Sequence, residues 1–309
     1  MSSSPSPREP RPSIGVRHRT SPIPAFLNPG SGSARRARKA LRSDSRFELR
    51  ELDPAKLADA VRVEAVIGTP RLLVCGGDGT LCTALAAAAG TSLEIAILPG
   101  GTLNHFAHDI GLPCDDPTAA LDVAVNAIAR PVDLGYVNGR AMLNTSAVGV
   151  YVDFVRHREH LEQRLSYRAA SVAAAVSLWR RPTALDVELE TAEGGRRQMQ
   201  TPLLFIGMHE RVLQGARLGR RRRDGARALH VLLVRDHTHL RLRTLVFRAI
   251  VNGLRGLLLE REVATRLTMS LIVRTSHPTV PVAIDGELVE LKSPLHYEFV
   301  RDAVRVARP

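Results

Sequence analysis

Leu72-Leu73-Val74-Cys75-Gly76-Gly77-Asp78-Gly79-Thr80 is the stretch on which the reading of the fold turns. Four apolar residues in a row read as a strand buried on both faces, as in a parallel sheet. The strand runs into a glycine-rich turn that holds one carboxylate and one hydroxyl. Leu81 to Ala89 then has helical composition. Glycine has no Cβ to keep a polyanion away from the backbone. A helix start offers free N–H groups and the positive end of the helix dipole. Asp78 is suited to hold a magnesium ion, directly or through water. Gly and Asp also favour any tight strand-to-helix corner. The loop by itself therefore leaves a phosphate site and a plain turn both open.

Two similar units flank it. Ile23 to Leu27 is a short apolar run followed by Asn28-Pro29-Gly30-Ser31-Gly32-Ser33 and a basic helical segment, Ala34 to Arg42. Ile95-Ala96-Ile97-Leu98 leads into Pro99-Gly100-Gly101-Thr102-Leu103-Asn104 and a predicted helix through Asp109. Helices are expected over 54–66, 102–110 and 117–128, the last capped by Asp116 with Pro117 at its first position. This alternation of strand and helix predicts a doubly wound parallel sheet over residues 23–140. Ligands of such sheets bind beyond the carboxyl ends of the strands, where all three loops lie.

From about residue 141 the pattern changes. Leu185-Asp186-Val187-Glu188-Leu189-Glu190 alternates with period two, and Glu193-Gly194-Gly195 follows as a turn. Strands are also expected at 203–207, 230–234, 271–273 and 280–284, with helices at about 151–179 and 238–260. Residues 141–309 thus read as a mostly antiparallel β domain, and two lobes imply a ligand cleft between them.

Composition narrows the setting. The 309 residues carry a net charge of +12 and are 44% hydrophobic but only 4% aromatic. Leu, Val, Ala and Ile must therefore build the cores. Cys75, Cys82 and Cys114 form no paired framework or metal spacing, which fits a reducing cytosol. No run of 18 apolar residues predicts a transmembrane helix. Residues 1–22, rich in Ser, Pro and Arg, lack the apolar core of a secretory signal and read as a disordered basic tail. Basic clusters lie at Arg35, Arg36, Arg38, Lys39 and Arg42, and at Arg217, Arg220 to Arg223 and Arg227. Such clusters suit an anionic membrane surface or a nucleotide's phosphates, and equally a solvated surface. Nucleic acid is disfavoured, because few aromatics interleave with the arginines and no recognition motif appears.

In order, Asn28-Pro29-Gly30-Ser31-Gly32, Gly76-Gly77-Asp78-Gly79-Thr80, Gly101-Thr102-Leu103-Asn104, Val132-Asp133-Leu134-Gly135, Asn144-Thr145-Ser146-Ala147-Val148-Gly149 and Asp285-Gly286-Glu287 resemble the diacylglycerol kinase catalytic-domain family, which includes sphingosine kinases and bacterial lipid kinases. The resemblance runs from about residue 22 to 308. It implies a kinase that uses ATP and Mg2+ to phosphorylate a lipid hydroxyl, diacylglycerol by default. It also implies a C-terminal β-sandwich, with the end of the chain returning to the first domain. By the same resemblance Asn28, Ser31, Gly32, Gly76, Gly77, Gly79, Thr80, Gly101, Thr102 and Asn104 surround the nucleotide. Asp78 organises the metal and Glu287 is the general base. The lipid is met at a membrane surface, with peripheral contact to anionic lipid on the cytoplasmic side. Asp-Gly between two strands is also an ordinary hairpin turn.

Two positions depart from the family pattern. The third loop reads Asn104-His105 where the family has Asn-Asp, with Asp109 and Asp133 as candidate replacements. In the stretch Asp224-Gly225-Ala226-Arg227-Ala228-Leu229-His230, Asp224 matches an Asp-Gly-x-Leu-Asp segment that supports a structural metal in bacterial relatives, and His230 does not match its last Asp. Gly-Gly-Asp-Gly also occurs in NAD kinases, so a soluble-substrate kinase stands as an alternative. The two departures motivate a second one, a degenerate kinase fold that binds nucleotide or membrane as a regulator.

Overall fold

The computed structural model describes residues 21–180, 185–191, 195–212, 221–222, 224–234 and 263–309. The expected basic tail up to residue 20, the expected helix at 238–260, and Arg217, Arg220 and Arg223 lie outside these residues.

The first lobe is built on four parallel strands in the order β2-β1-β3-β4: β1 (Ile23–Leu27), β2 (Phe47–Glu51), β3 (Arg71–Gly76) and β4 (Glu94–Pro99). Every residue of β3 is buried. Its side chains alternate between two cores, as the pleat requires. Leu72 and Val74 pack with α2 (Leu57–Val66) and α3 (Asp78–Ala88). Leu73 and Cys75 pack with α1 (Ala34–Arg42) and α5 (Pro117–Asn126) on the other face. Helices on both faces explain why the strand is a continuous apolar run. Asp116 caps α5 by accepting the Thr118 and Ala119 N–H groups, with Pro117 first in the helix, as expected. The helix expected after the third loop is only α4 (His105–Asp109), because residues 100–104 are turned back on themselves instead.

Beyond these lie β5 (Ala129–Val137), β6 (Arg140–Met142) and β7 (Thr145–Gly149). Two helices follow, α6 (Val150–Glu162) and α7 (Tyr167–Arg180), where a single helix was expected. The remaining strands are β8 (Leu185–Thr191), β9 (Gly195–Thr201), β10 (Leu203–Met208), β11 (Leu229–Val234), β12 (Val263–Thr268), β13 (Ser270–Thr275), β14 (Thr279–Ile284), β15 (Glu287–Lys292) and β16 (Leu295–Ala307). An antiparallel sheet in the order β12-β11-β10-β7-β14-β15 faces the strands β8, β9, β13 and β16. A core of Val148, Val187, Leu204, Ile206, Val231, Val273, Val282 and Tyr297 fills the space between. The period-two reading of β8 holds. Val187 and Leu189 point inward, while Glu188 and Glu190 meet Arg196 and Arg274 on neighbouring strands. Gly195, read as part of a turn, begins β9.

The two lobes share β16. Near its start it pairs antiparallel with β13, and near its end parallel with β4. Along its other side it pairs with β5, with a bulge between Val300 and Val304. Asp302 sits in that bulge with φ +53°. Its N–H donates to Asp133 at 2.9 Å, and Arg227 grips the same Asp133 carboxylate with two nitrogens.

The Asp133 side chain is 3% exposed. Burial pushes its carboxyl pKa up, but the Arg227 hydrogen bonds and the Asp302 N–H outweigh this and hold it below the ordinary value. Removing one partner of a buried pair leaves an uncompensated charge. The Arg227 side chain is itself 43% exposed, so screening reduces the loss, and Arg227→Met should cost about 1–2 kcal/mol in urea unfolding at neutral pH. A carboxylate with a depressed folded pKa contributes fully above its unfolded pKa and loses that contribution as pH falls through the folded value. The gap between wild type and variant should therefore close as pH drops below roughly 4.

Candidate active site

The chain leaves β1 to form β2 on one side of it and then returns to form β3 on the other. The carboxyl ends of β1 and β3 are thus the topological switch point of the sheet, where open α/β sheets bind ligands. Asn28 follows β1 there, and Gly76 to Thr80 join β3 to α3. A cleft of about 510 Å3 opens at this point, lined by Asn28, Pro54, Leu57, Gly77, Asp78, Gly79, Thr80, Thr83, Gly101, Thr102, Leu103 and Glu287. Seven of the residues singled out around the nucleotide and metal, and Glu287 from the far lobe, therefore border one space. Ser31, Gly32, Gly76 and Asn104 do not border it, and neither does Asp224.

The three loops are locked to one another. Asn28 Nδ2 donates to Thr80 Oγ1 at 3.1 Å. The Ser31 and Ser33 hydroxyls both donate to the Gly100 carbonyl, at 2.5 and 2.9 Å. The Gly100 N–H donates to the Gly76 carbonyl at 2.8 Å. Asn104, at φ +47°, accepts the Gly101 N–H and donates to the Gly101 carbonyl, so its amide shapes its own loop. A Cβ on Gly101 would stand 2.7 Å from Gly77 Cα. Two glycines thus let the second and third loops touch backbone to backbone. Ser31, Gly76 and Asn104 build the walls of the site from behind.

Asp78 has a second task. Its carboxylate accepts the His105 and Phe106 N–H groups, both at 3.0 Å, and so caps α4 from another loop. The His105 side chain is exposed, and its backbone rather than its imidazole joins the site. The first turn of α3 presents the N–H groups of Asp78, Gly79 and Thr80. Gly77 precedes the helix and supplies no side-chain cap. These N–H groups and the helix dipole favour an anion in the cleft.

Glu287 arrives from the opposite lobe. Asp285 at φ +49° and Gly286 at φ +93° form the two-residue turn between β14 and β15, and Ile284 pairs with Glu287. The hairpin reading holds for this segment, and the hairpin also brings Glu287 to the border of the cleft. The Asp285 carboxylate accepts the N–H groups of Leu143, Asn144 and Thr145 at 2.7 to 2.8 Å, which fastens the hairpin to the start of β7. Burial pushes the Asp285 pKa up, against those three hydrogen bonds, and the charge of Asp78 pushes it the same way. Sequence reasoning missed this anchoring role, although Asp before Gly in a tight turn was legible. Beyond the turn, Glu287 reaches Gly79: a Cβ there would stand 2.8 Å from Glu287 Oε1. Among the described residues the Glu287 side chain makes no hydrogen bond or ion pair.

The remaining candidates lie elsewhere. Asp133 is committed to Arg227 and is no spare carboxylate for the cleft. Asp109 is exposed at the end of α4. Asp224 is exposed, and among the described residues no group of three His, Cys, Asp or Glu is placed to hold a metal. Burial pushes the thiols of Cys75 and Cys82 up, so both are inert small residues. Among the described residues no helix is long and apolar enough to cross a membrane.

The fold and cleft define a two-lobed α/β protein with a glycine-loop site at the seam. Residues 22–137 match the family model described as Diacylglycerol kinase catalytic domain, which establishes the resemblance for the first lobe. The chain is 33% identical over 129 residues to a diacylglycerol kinase of Mycobacterium tuberculosis, covering 39% of this chain and 42% of that protein. It is 30% identical over 125 residues to a diacylglycerol kinase of Bacillus subtilis, covering 38% and 41%. Over 85 residues it is 46% identical to a Pseudomonas aeruginosa protein named "Probable lipid kinase YegS-like", covering 26% and 27%. The aligned region thus spans about two fifths or less of these relatives. The whole fold is similar to the crystal structure of a diacylglycerol kinase from Bacillus anthracis, with TM-score 0.64 and 14% identity over 94% of this chain and 97% of that one.

Asp78 accepts two N–H groups with two oxygens, and an amide can accept with only one. Asp78→Asn should therefore lower stability by about 0.5–1.5 kcal/mol in urea unfolding, one lost hydrogen bond in a partly exposed setting, besides any effect on activity.

Proposed function

We propose that this protein is a lipid kinase that transfers the γ-phosphoryl group of ATP to a lipid hydroxyl. One observation carries the reading. Of the three carboxylates gathered at the seam, Asp78 and Asp285 are occupied by backbone N–H groups, and Glu287, in the same cleft as the glycine loops, has no such partner among the described residues.

The N–H groups opening α3, with the Asn28 and Thr80 side chains, receive the nucleotide's phosphates. Glu287 accepts the proton of the acceptor hydroxyl as its oxygen bonds to the γ-phosphorus. The bond from that phosphorus to the bridging oxygen breaks, and ADP leaves with the electron pair. The site fits a magnesium ion. Each Asp78 oxygen accepts a single N–H and keeps a lone pair, and Mg2+ commonly takes one or two carboxylates and fills its shell with phosphates and water. When bound, the ion would neutralise phosphate charge during transfer. Gly79 leaves the room that Glu287 occupies.

The test is transfer of labelled phosphate from ATP to a panel of lipids in mixed micelles, with and without magnesium. Glu287→Gln should keep the fold and lower kcat by roughly 100-fold or more, the usual share of a positioned base. Gly79→Ala should displace the carboxylate and lower kcat with little change in thermal stability. Full activity in both variants would remove Glu287 from the mechanism. NADP formation from ATP and NAD without lipid turnover would instead favour a soluble-substrate kinase.

A further inference from the structure

The bend in β16 gathers more arginine than its carboxylates can hold. Residues from the two sides of the connection between β10 and β11 are tied together by backbone. The Arg222 N–H donates to the Glu210 carbonyl at 2.8 Å, the Glu210 N–H donates to the Ala226 carbonyl at 3.0 Å, and Arg211 bridges to Arg221. These residues meet the bend, where Arg227 bonds to both Asp133 and Asp302 and His209 Nδ1 stands 3.6 Å from Asp133. Arg227 thus occupies the two acids of the bend.

Arg221, Arg308 and Arg130 remain. Arg221 belongs to the β10–β11 connection, Arg130 lies at the start of β5, and Arg308 follows the last residue of β16. β5 and β16 run antiparallel here with Arg130 opposite Val306, two residues before Arg308. Among the described residues none of the three makes a hydrogen bond or an ion pair through its side chain. Arg221 and Arg308 are half-buried, and Arg308 Nε is shut off from solvent without an acceptor. Burial pushes the Arg221 pKa down; Asp133 and Asp109 oppose this, and the charges of Arg308 and Arg227 add to it. At Arg308 burial and the Arg130 charge act downward, against Asp133. His209 stays neutral, its pKa pushed down to about 3 by burial and the Arg221 charge, and its buried Nδ1 has no hydrogen bond.

A buried donor without an acceptor is costly and calls for an explanation, an unseen ion among them. Guanidiniums that bear on one another add repulsion. An oxyanion removes both costs. Arginine forks match phosphate oxygens, and a doubly charged phosphate can serve more than one fork.

We propose that Arg221, Arg308 and Arg130 form a second anion site, which takes a phosphate-type dianion, either inorganic phosphate or a phosphate monoester. None of the three lines the glycine-loop cleft. Val306 pairs with Ile95 as well as with Arg130, so Arg130 stands level with the start of β4, whereas the cleft opens at the carboxyl ends of the parallel strands. Arg221 comes from the second lobe and Arg130 from the strand beside the first, so the bound anion ties the lobes at the bend that Asp133 braces. The site stands whether or not the cleft is that of a kinase.

The experiment titrates the full chain with inorganic phosphate and with dihexanoyl phosphatidate by calorimetry, and follows the melting temperature with each. Wild type should bind and melt higher, and the tighter of the two ligands tells a free ion from a lipid headgroup. Arg308→Gln and Arg221→Gln should each weaken binding by about tenfold, the equivalent of one charge-assisted hydrogen bond. Without ligand both variants should melt at or above the wild-type temperature, because each removes a repelled charge; a merely structural arginine would lower it. Equal affinity in wild type and both variants places the anion elsewhere and overturns the site. So does an absence of binding, or a melting shift that sodium chloride of equal ionic strength reproduces. Should the half-buried variants fail to fold, the exposed Arg130→Gln decides: weaker binding supports the site and unchanged binding overturns it.

Discussion

One strand decides where everything else can stand. β16 is hydrogen-bonded to β4 of the parallel sheet at its end and to β13 of the sandwich near its start, with β5 along its flank. Main-chain hydrogen bonds leave little play in a sheet, so the two lobes are coupled at a set distance and angle. The cleft depends on that coupling, because its glycine loops come from residues before 104 and the Glu287 carboxylate from the other lobe. The bulge at Asp302 lets one strand serve both lobes, and a bulge is a usual device for re-aiming a strand. Asp133 and Arg227 stabilise the chain where it bends.

The polar residues at the seam divide the labour according to their surroundings. Three carboxylates of similar intrinsic chemistry meet there. Asp285 is turned inward onto three N–H groups and becomes a structural pin. Asp78 holds two N–H groups of the next loop and keeps spare lone pairs. Glu287 follows the tight turn and borders the cleft, and among the described residues nothing bonds to its side chain. The glycines divide in the same way. Gly77 and Gly101 are small because two loops must touch, and Gly79 because a carboxylate must come close.

Much of the first lobe was legible in the sequence. Ile23 to Leu27 and Ala34 to Arg42 form the strand and helix expected of them, residue for residue. Strong periodicity, capping by Asp116 and Pro117, and glycine loops act within a few residues of one another, and such signals survive in a linear reading. The strand β2 carries only Phe47 buried and was not foreseen, since an edge strand with one inward side chain lacks an apolar run. The third loop was read as the start of a helix, because nothing local reveals that Asn104 would turn back onto Gly101.

The sequence by itself determined the class of fold, the switch-point loops and the Asp-Gly hairpin, because each follows from backbone conformational preference and hydrophobic periodicity. Only the tertiary structure decided which of those residues border the cleft and which brace it. Asn104, Ser31 and Gly76 look like site residues in one dimension, and in three their hydrogen bonds brace the loops behind the cleft. Likewise nothing local distinguishes the bound carboxylates Asp78 and Asp285 from the free one at Glu287. Their difference is made by N–H groups some 30 to 140 positions away in the chain, and only the packing of the two lobes through β16 brings those groups within hydrogen-bonding distance.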